Sequence, residues 1–156
     1  MKDSLFTSFA KMARLFGFLT LISVFSLTAC SGDDGPNTSN PNLPNLGVNL
    51  TLDLNLPQYN QLNFPGNSFV TGLQGIRGIV IFNIDNNQYT AFEISDPNHA
   101  PNDCSAAQID GLTATCSCSD GNAYSIVTGQ LTAGEGQYPL KPYRISRSGD
   151  QLLITN

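Results

Sequence analysis

The 156-residue chain sets twelve Asp and Glu against seven Lys and Arg, with one His, four Cys, fourteen Gly and no Trp, for a formal net charge of −5. That acidic balance argues against nucleic acid and anionic lipid headgroups as partners. The length leaves room for roughly one domain once the ends are set aside.

A short basic start, Lys2, Lys11 and Arg14, precedes an apolar run over residues 15–27. The run falls short of the about 20 residues a bilayer span needs, so residues 1–29 read as an export signal. It closes on Leu27-Thr28-Ala29-Cys30, which resembles a bacterial lipobox, where the chain is cut before a cysteine whose thiol takes the lipid. The resemblance implies a palmitate-type lipoprotein anchored through Cys30, with the lipid membrane as its partner; each buried CH₂ adds about 0.8 kcal/mol of anchoring. Asp33-Asp34 just after the anchor resembles a sorting flag for the outer membrane. The expected location is therefore the bacterial envelope, as an outer-membrane lipoprotein on its periplasmic or surface face. Residues 31–46 are rich in Asn, Pro, Ser and Gly and poor in core-forming side chains, so residues 30–47 are expected to be the lipidated Cys and a flexible tether. Beyond residue 29, four basic residues (Arg77, Lys141, Arg144 and Arg147) face eleven acidic ones, a balance of −7.

Residues 48–156 carry strand signals throughout. Residues 48–56 alternate Val or Leu with polar residues, a period of two that buries one face. Residues 59–62, 68–70 and 79–84 follow, and Asp85-Asn86-Asn87 turns the chain into residues 88–94 with good hairpin chemistry. The second half repeats the style at residues 112–116, 123–127, 143–146 and 152–155. No long window shows a helical period, so the domain is expected to be all-β, built of small stacked antiparallel sheets. Residues 95–110 form the one long irregular stretch, a place where function tends to sit.

The box Cys116-Ser-Cys118-Ser119-Asp-Gly121, followed by Tyr124, Thr128-Gly129, Tyr138-Pro-Leu-Lys-Pro-Tyr143 and a closing hairpin around Gly149-Asp150, resembles the second half of a Rieske iron–sulfur domain. Asp96-Pro-Asn-His99-Ala-Pro-Asn-Asp-Cys104 stands where the first cluster box would be. Such domains hold [2Fe–2S] with two Cys and two His, both His on one iron. The resemblance makes Cys116 the second-box ligand Cys, His99 the first-box His, and Cys104 and Cys118 the disulfide that clamps the two loops. Ser119 stands in place of the second His, and Asp96 and Pro97 in place of the first ligand Cys. With one His in the whole chain, a two-His iron cannot be built.

The chain thus resembles a degenerate Rieske-type lipoprotein without its cluster, expected to act as a binding or structural module, with an envelope protein as possible partner and no cofactor. Two alternatives use the same residues: an electron-transfer component that retains [2Fe–2S], and a structural Cys₃His zinc site of His99, Cys104, Cys116 and Cys118. Cys104 with Cys116 is the competing disulfide. His99 is expected to bond a backbone carbonyl, Asp96, Asp103 and Asp120 to cap turns, and Lys141, Arg144 and Arg147 to line a solvated edge. The residues assign no catalytic group.

Overall fold

A computed structural model describes residues 40–156. The residues read as an export signal, Cys30 and the acidic pair Asp33-Asp34 lie outside the described residues. Ten strands occur in chain order: β1 (Asn49–Asp53), β2 (Ser68–Thr71), β3 (Ile79–Asn83), β4 (Tyr89–Glu93), β5 (Gln108–Asp110), β6 (Thr113–Thr115), β7 (Ala123–Ser125), β8 (Leu131–Ala133), β9 (Arg144–Ser148) and β10 (Gln151–Thr155). They form three antiparallel sheets, β1-β10-β9, β2-β3-β4 and β5-β6-β7-β8. The fold is all-β, and no α-helix occurs among the described residues.

The period-two pattern decides the layering. In β1, Leu50 and Leu52 point inward and Asn49 and Thr51 outward. In β3 every residue is buried, because both faces of its sheet are covered. Ile79 and Ile81 pack with Leu50, Leu52, Leu152 and Ile154 of the first sheet. Val80 and Phe82, on the opposite face, pack with Ala114 and Tyr124 of the third. Two apolar cores therefore share one central strand. The β3–β4 hairpin closes as its turn chemistry predicts: Asn86 takes φ 70°, and the Asp85 carboxylate accepts the Asn87 and Gln88 N–H groups.

Four expectations change. Residues 59–62, read as a strand, form a 3₁₀ turn at Asn60–Asn63, where Leu62 fills the first core. Four residues cannot show a period, and the Leu62 N–H bonds back to the Tyr59 carbonyl rather than to a neighbouring strand. The irregular stretch 95–110 ends in β5, and its base is closed by the Ser95–Ala106 bridge. Residues 40–47, expected within the tether, lie against the domain: Leu43 is buried, and the Asn40 and Asn42 side-chain amides both donate to the Pro97 carbonyl. Lys141 is not on a solvated edge; it is buried, with Nζ reaching the Pro44 carbonyl and Asn45 Oδ1 at 3.3 Å, and burial lowers its pKa. Long cationic stems bury in this way when the head can find acceptors.

One buried acid holds the two halves of the sheet stack in register. Glu93, at the end of β4, is fully buried, and its carboxylate accepts the N–H groups of Ile76 (2.6 Å), Arg77 (2.9 Å) and Ser95 (3.0 Å) and the hydroxyl of Tyr143 (2.8 Å). Gly75 is needed beside it, since its φ is +90° and a Cβ there would meet Glu93 Oε2 at 2.7 Å.

Candidate functional site

Two loops form a tip beyond the third sheet. The first, residues 96–104, leaves β4 and returns to β5; the second, residues 116–122, joins β6 to β7. The second loop folds tightly because Ser119 (φ 61°) and Gly121 (φ 73°) take the left-handed region. The Asp120 carboxylate then accepts the Asn122 N–H at 3.0 Å, closing an Asx turn. Cys104 and Cys118 are bonded to each other across the loops, with Cα atoms 4.8 Å apart. This is the pairing that the resemblance implies, and the competing pair Cys104–Cys116 does not form.

Below the disulfide lies a polar layer. Asp96 is fully buried; its Oδ1 accepts the Asn98 N–H (2.7 Å) and the Tyr124 hydroxyl (3.0 Å), and its Oδ2 the Asn122 side-chain amide (3.2 Å). Burial, with Asp96 nearby, raises the pKa of Tyr124. Asn98 bridges outward, donating to the Tyr124 oxygen and the Tyr138 carbonyl and accepting the N–H groups of Gln137 and Tyr138. The loop before Tyr138 is thereby fastened to the first loop. Asp96 and Asp120 cap turns as expected, but Asp96 also ties β7 to the tip. Asp103 instead is exposed and meets Arg77 at 3.6 Å.

The structure brings His99 and Cys116, seventeen residues apart in sequence, into contact. His99 Nδ1 lies 3.1 Å from the Ala100 carbonyl oxygen, the backbone bond expected of it, while Nε2 lies 3.5 Å from Cys116 Sγ and 3.4 Å from Asp120 Oδ2. Cys116 is buried and is the free cysteine among the described residues. Burial pushes its thiol from 9.0 up to about 12, with the Asp96 and Asp120 carboxylates adding to the rise against a lowering bond from the Cys118 N–H. The resemblance set His99 and Cys116 side by side, but it gave no sign of the Asp96 and Asp120 carboxylates, which reach Cys116 only through the fold. Asn98 and Asn122 fall within the two loops expected to form the tip, but their bridging bonds and the reach of the Tyr124 hydroxyl to Asp96 were not legible, since a Tyr at the centre of a short strand reads as core and Asn in loops is commonplace.

A raised thiol pKa has a measurable consequence. At pH 8, native Cys116 is expected to react with iodoacetamide about a thousandfold more slowly than an unperturbed thiol, because only the thiolate attacks. Denaturation should restore the ordinary rate; fast labelling of the native chain at Cys116 would contradict the burial. The same shift contributes stability that is complete below pH 9 and is lost as pH climbs through about 12, because the folded chain holds this proton more tightly.

The donors at the tip do not fit a Rieske cluster. Two imidazoles are required on one iron, and the chain has one His. Ser119, which the resemblance sets in the place of the second, is exposed, and Cys104 and Cys118 are consumed by their bond to each other. The same bond removes two of the four donors from the Cys₃His zinc alternative.

No protein-family model and no curated protein matches the chain. Among solved structures it is similar to the ferredoxin of carbazole 1,9a-dioxygenase from Nocardioides aromaticivorans IC177, at 17% identity over 58% of this chain and 86% of that one, TM-score 0.42. It is also similar to the Sphingomonas yanoikuyae B1 ferredoxin, at 17% identity over 62% of this chain and 93% of that one, TM-score 0.42. A third similarity is to a chain of the complex of reduced oxygenase and oxidized ferredoxin in carbazole 1,9a-dioxygenase, at 18% identity over 58% and 82%, TM-score 0.43.

Proposed function

We propose that the chain is a lipoprotein of the bacterial envelope whose Rieske-like domain has given up its [2Fe–2S] cluster and serves as a binding module. One observation carries this reading: the donor inventory of the tip. A single imidazole, His99, is pressed against the remaining thiol, Cys116, while the other two sulfurs of the loops clamp them together. Residues 96–104 and 116–122 then offer a surface fixed by the disulfide, by Asp96 and by Asn98, so that a partner meets loops already ordered and little entropy is lost on contact. The acidic balance directs that surface to a protein rather than to headgroups or nucleic acid. Cys30 would hold the domain at the membrane.

Site-specific photo-crosslinking in cells tests both parts. A crosslinking residue in place of Ser119 is expected to give an adduct with an envelope protein, and one in place of Leu153, exposed on the first sheet, is expected to give none. Cys30→Ser should move the chain from the membrane fraction to the soluble fraction and abolish the Ser119 adduct. Adducts from Leu153 alone, or a Cys30→Ser chain still in the membrane fraction, would contradict the reading.

A further inference from the structure

Four side chains with metal-ligating atoms converge at the tip. One donor atom from each of Asp96, His99, Cys116 and Asp120 lies within 4.8 Å of all the others. We propose that they form a mononuclear site for one divalent transition cation of the zinc class, held by two carboxylates, the His99 Nε2 and the Cys116 sulfur. The inference rests on the cluster-free reading, because a two-iron centre would claim His99 and Cys116 for itself.

The spacing suits one ion. Zinc bonds of about 2.0–2.3 Å to N, O and S place tetrahedral ligands roughly 3.3–3.8 Å from one another. His99 Nε2 lies 3.5 Å from Cys116 Sγ and 3.4 Å from Asp120 Oδ2. The donor atoms of Asp96 and Asp120 lie within 4.8 Å of these and of each other.

The imidazole supplies an independent argument. Its two nitrogens both face acceptors, Nδ1 the Ala100 carbonyl and Nε2 the Asp120 carboxylate. A neutral ring carries one N–H. With that N–H on Nδ1, facing the Ala100 carbonyl, Nε2 presents its lone pair to the Cys116 sulfur and the Asp120 carboxylate, the side on which an ion would sit. A cation on Nε2, with Nδ1–H donating to the carbonyl, is the usual arrangement of a ligating His.

Asp96 stands on the same side of the site as Nε2, with one of its oxygens within 4.8 Å of the other donor atoms. It is fully buried, yet its three bonding partners, the Asn98 N–H, the Tyr124 hydroxyl and the Asn122 amide, are all neutral. A buried carboxylate is costly without a countercharge. The three bonds would also fix its orientation as outer-shell partners do.

Access is available. His99 and Asp120 line an open cleft of about 660 Å³ together with Asn122, Glu135, Gln137 and Tyr138. The mixture of thiolate, imidazole and carboxylate favours zinc over magnesium or calcium, which take oxygen alone. Four protein ligands leave no open coordination position, which makes the site structural. On binding, the Cys116 S–H bond breaks, its proton passes to water, and the sulfur electron pair goes to the ion.

The test uses the full chain in detergent, stripped with chelator and kept from reductant, then titrated with cobalt(II) followed by zinc. The expected result is one equivalent of cobalt with tetrahedral visible bands and a near-ultraviolet sulfur-to-metal band, all displaced by one equivalent of zinc. Cys116→Ser should abolish the sulfur band, and His99→Gln and Asp120→Asn should each weaken zinc binding by about tenfold or more. The last two residues lie at the cleft, so these variants keep the test decisive if Cys116→Ser fails to fold. Failure of the native chain to take up cobalt, or unchanged binding in both His99→Gln and Asp120→Asn, would overturn the site. A chain free of cobalt uptake, iron and labile sulfide would overturn only this inference, whereas iron with labile sulfide would overturn the cluster-free reading as well.

Discussion

Replacement of Glu93 by Ala is expected to lower the unfolding free energy by about 4 kcal/mol, the largest single loss in the domain. The carboxylate accepts four donors in a fully buried place. Truncation strands the buried Ser95 N–H and Tyr143 hydroxyl and the half-buried N–H groups of Ile76 and Arg77, and each unsatisfied buried donor costs about 1–3 kcal/mol before water relaxes it. Against a total of about 5–15 kcal/mol, the variant sits near the edge of folding, with the thermal midpoint down by about 15 °C. Glu93→Gln should fall between, since one amide group turns a donor toward backbone donors. Tyr143→Phe, which removes a single donor and leaves the carboxylate its three backbone partners, should cost about 1 kcal/mol. Chemical denaturation of the three variants checks the order; a Glu93→Ala chain as stable as the parent would show that the carboxylate is not the organising group.

Breaking the disulfide with Cys104→Ser is the second large effect. The bond joins residues 14 apart, and closing a loop of that length is worth about 3 kcal/mol in the chain-entropy account. A fall in thermal midpoint of about 10 °C is expected. The loss should be local in its consequences: amide exchange should rise in residues 96–104 and 116–122, while β3 and β4, packed between two cores, keep their protection. Calorimetry and hydrogen exchange on the same sample check both halves. An unchanged midpoint would mean that the polar layer of Asp96, Asn98 and Tyr124 already fixes the loops without the sulfur bridge.

The order and type of the longer elements were legible because their physics is local. The β1 alternation and the Asp85-Asn86-Asn87 turn depend on neighbours a few residues apart and both appear, although β1 stops at Asp53 rather than Leu56 because the Leu56 N–H turns back to the Asp53 carbonyl. The short strands β5 and β8 were not legible, since Gln108–Asp110 lies inside a stretch read as irregular and Leu131–Ala133 offers one Thr and no aromatic residue. Nor was the docking of residues 40–47, which rests on Leu43 and on amides that find the Pro97 carbonyl more than fifty residues away. At the tip, the single His was enough to argue against a two-His centre. What the count could not supply was the company His99 keeps: the buried Asp96, the Asp120 carboxylate and the Cys116 thiol meet only because β4, β6 and β7 deliver both loops to one place.

Iron and acid-labile sulfide content is the most direct check. The full chain, purified from cells in detergent without reductant or added metal, is assayed for both, beside its visible spectrum. The account predicts neither iron nor labile sulfide and no visible absorption. Two irons and two sulfides per chain, with the colour of a [2Fe–2S] centre, would contradict it.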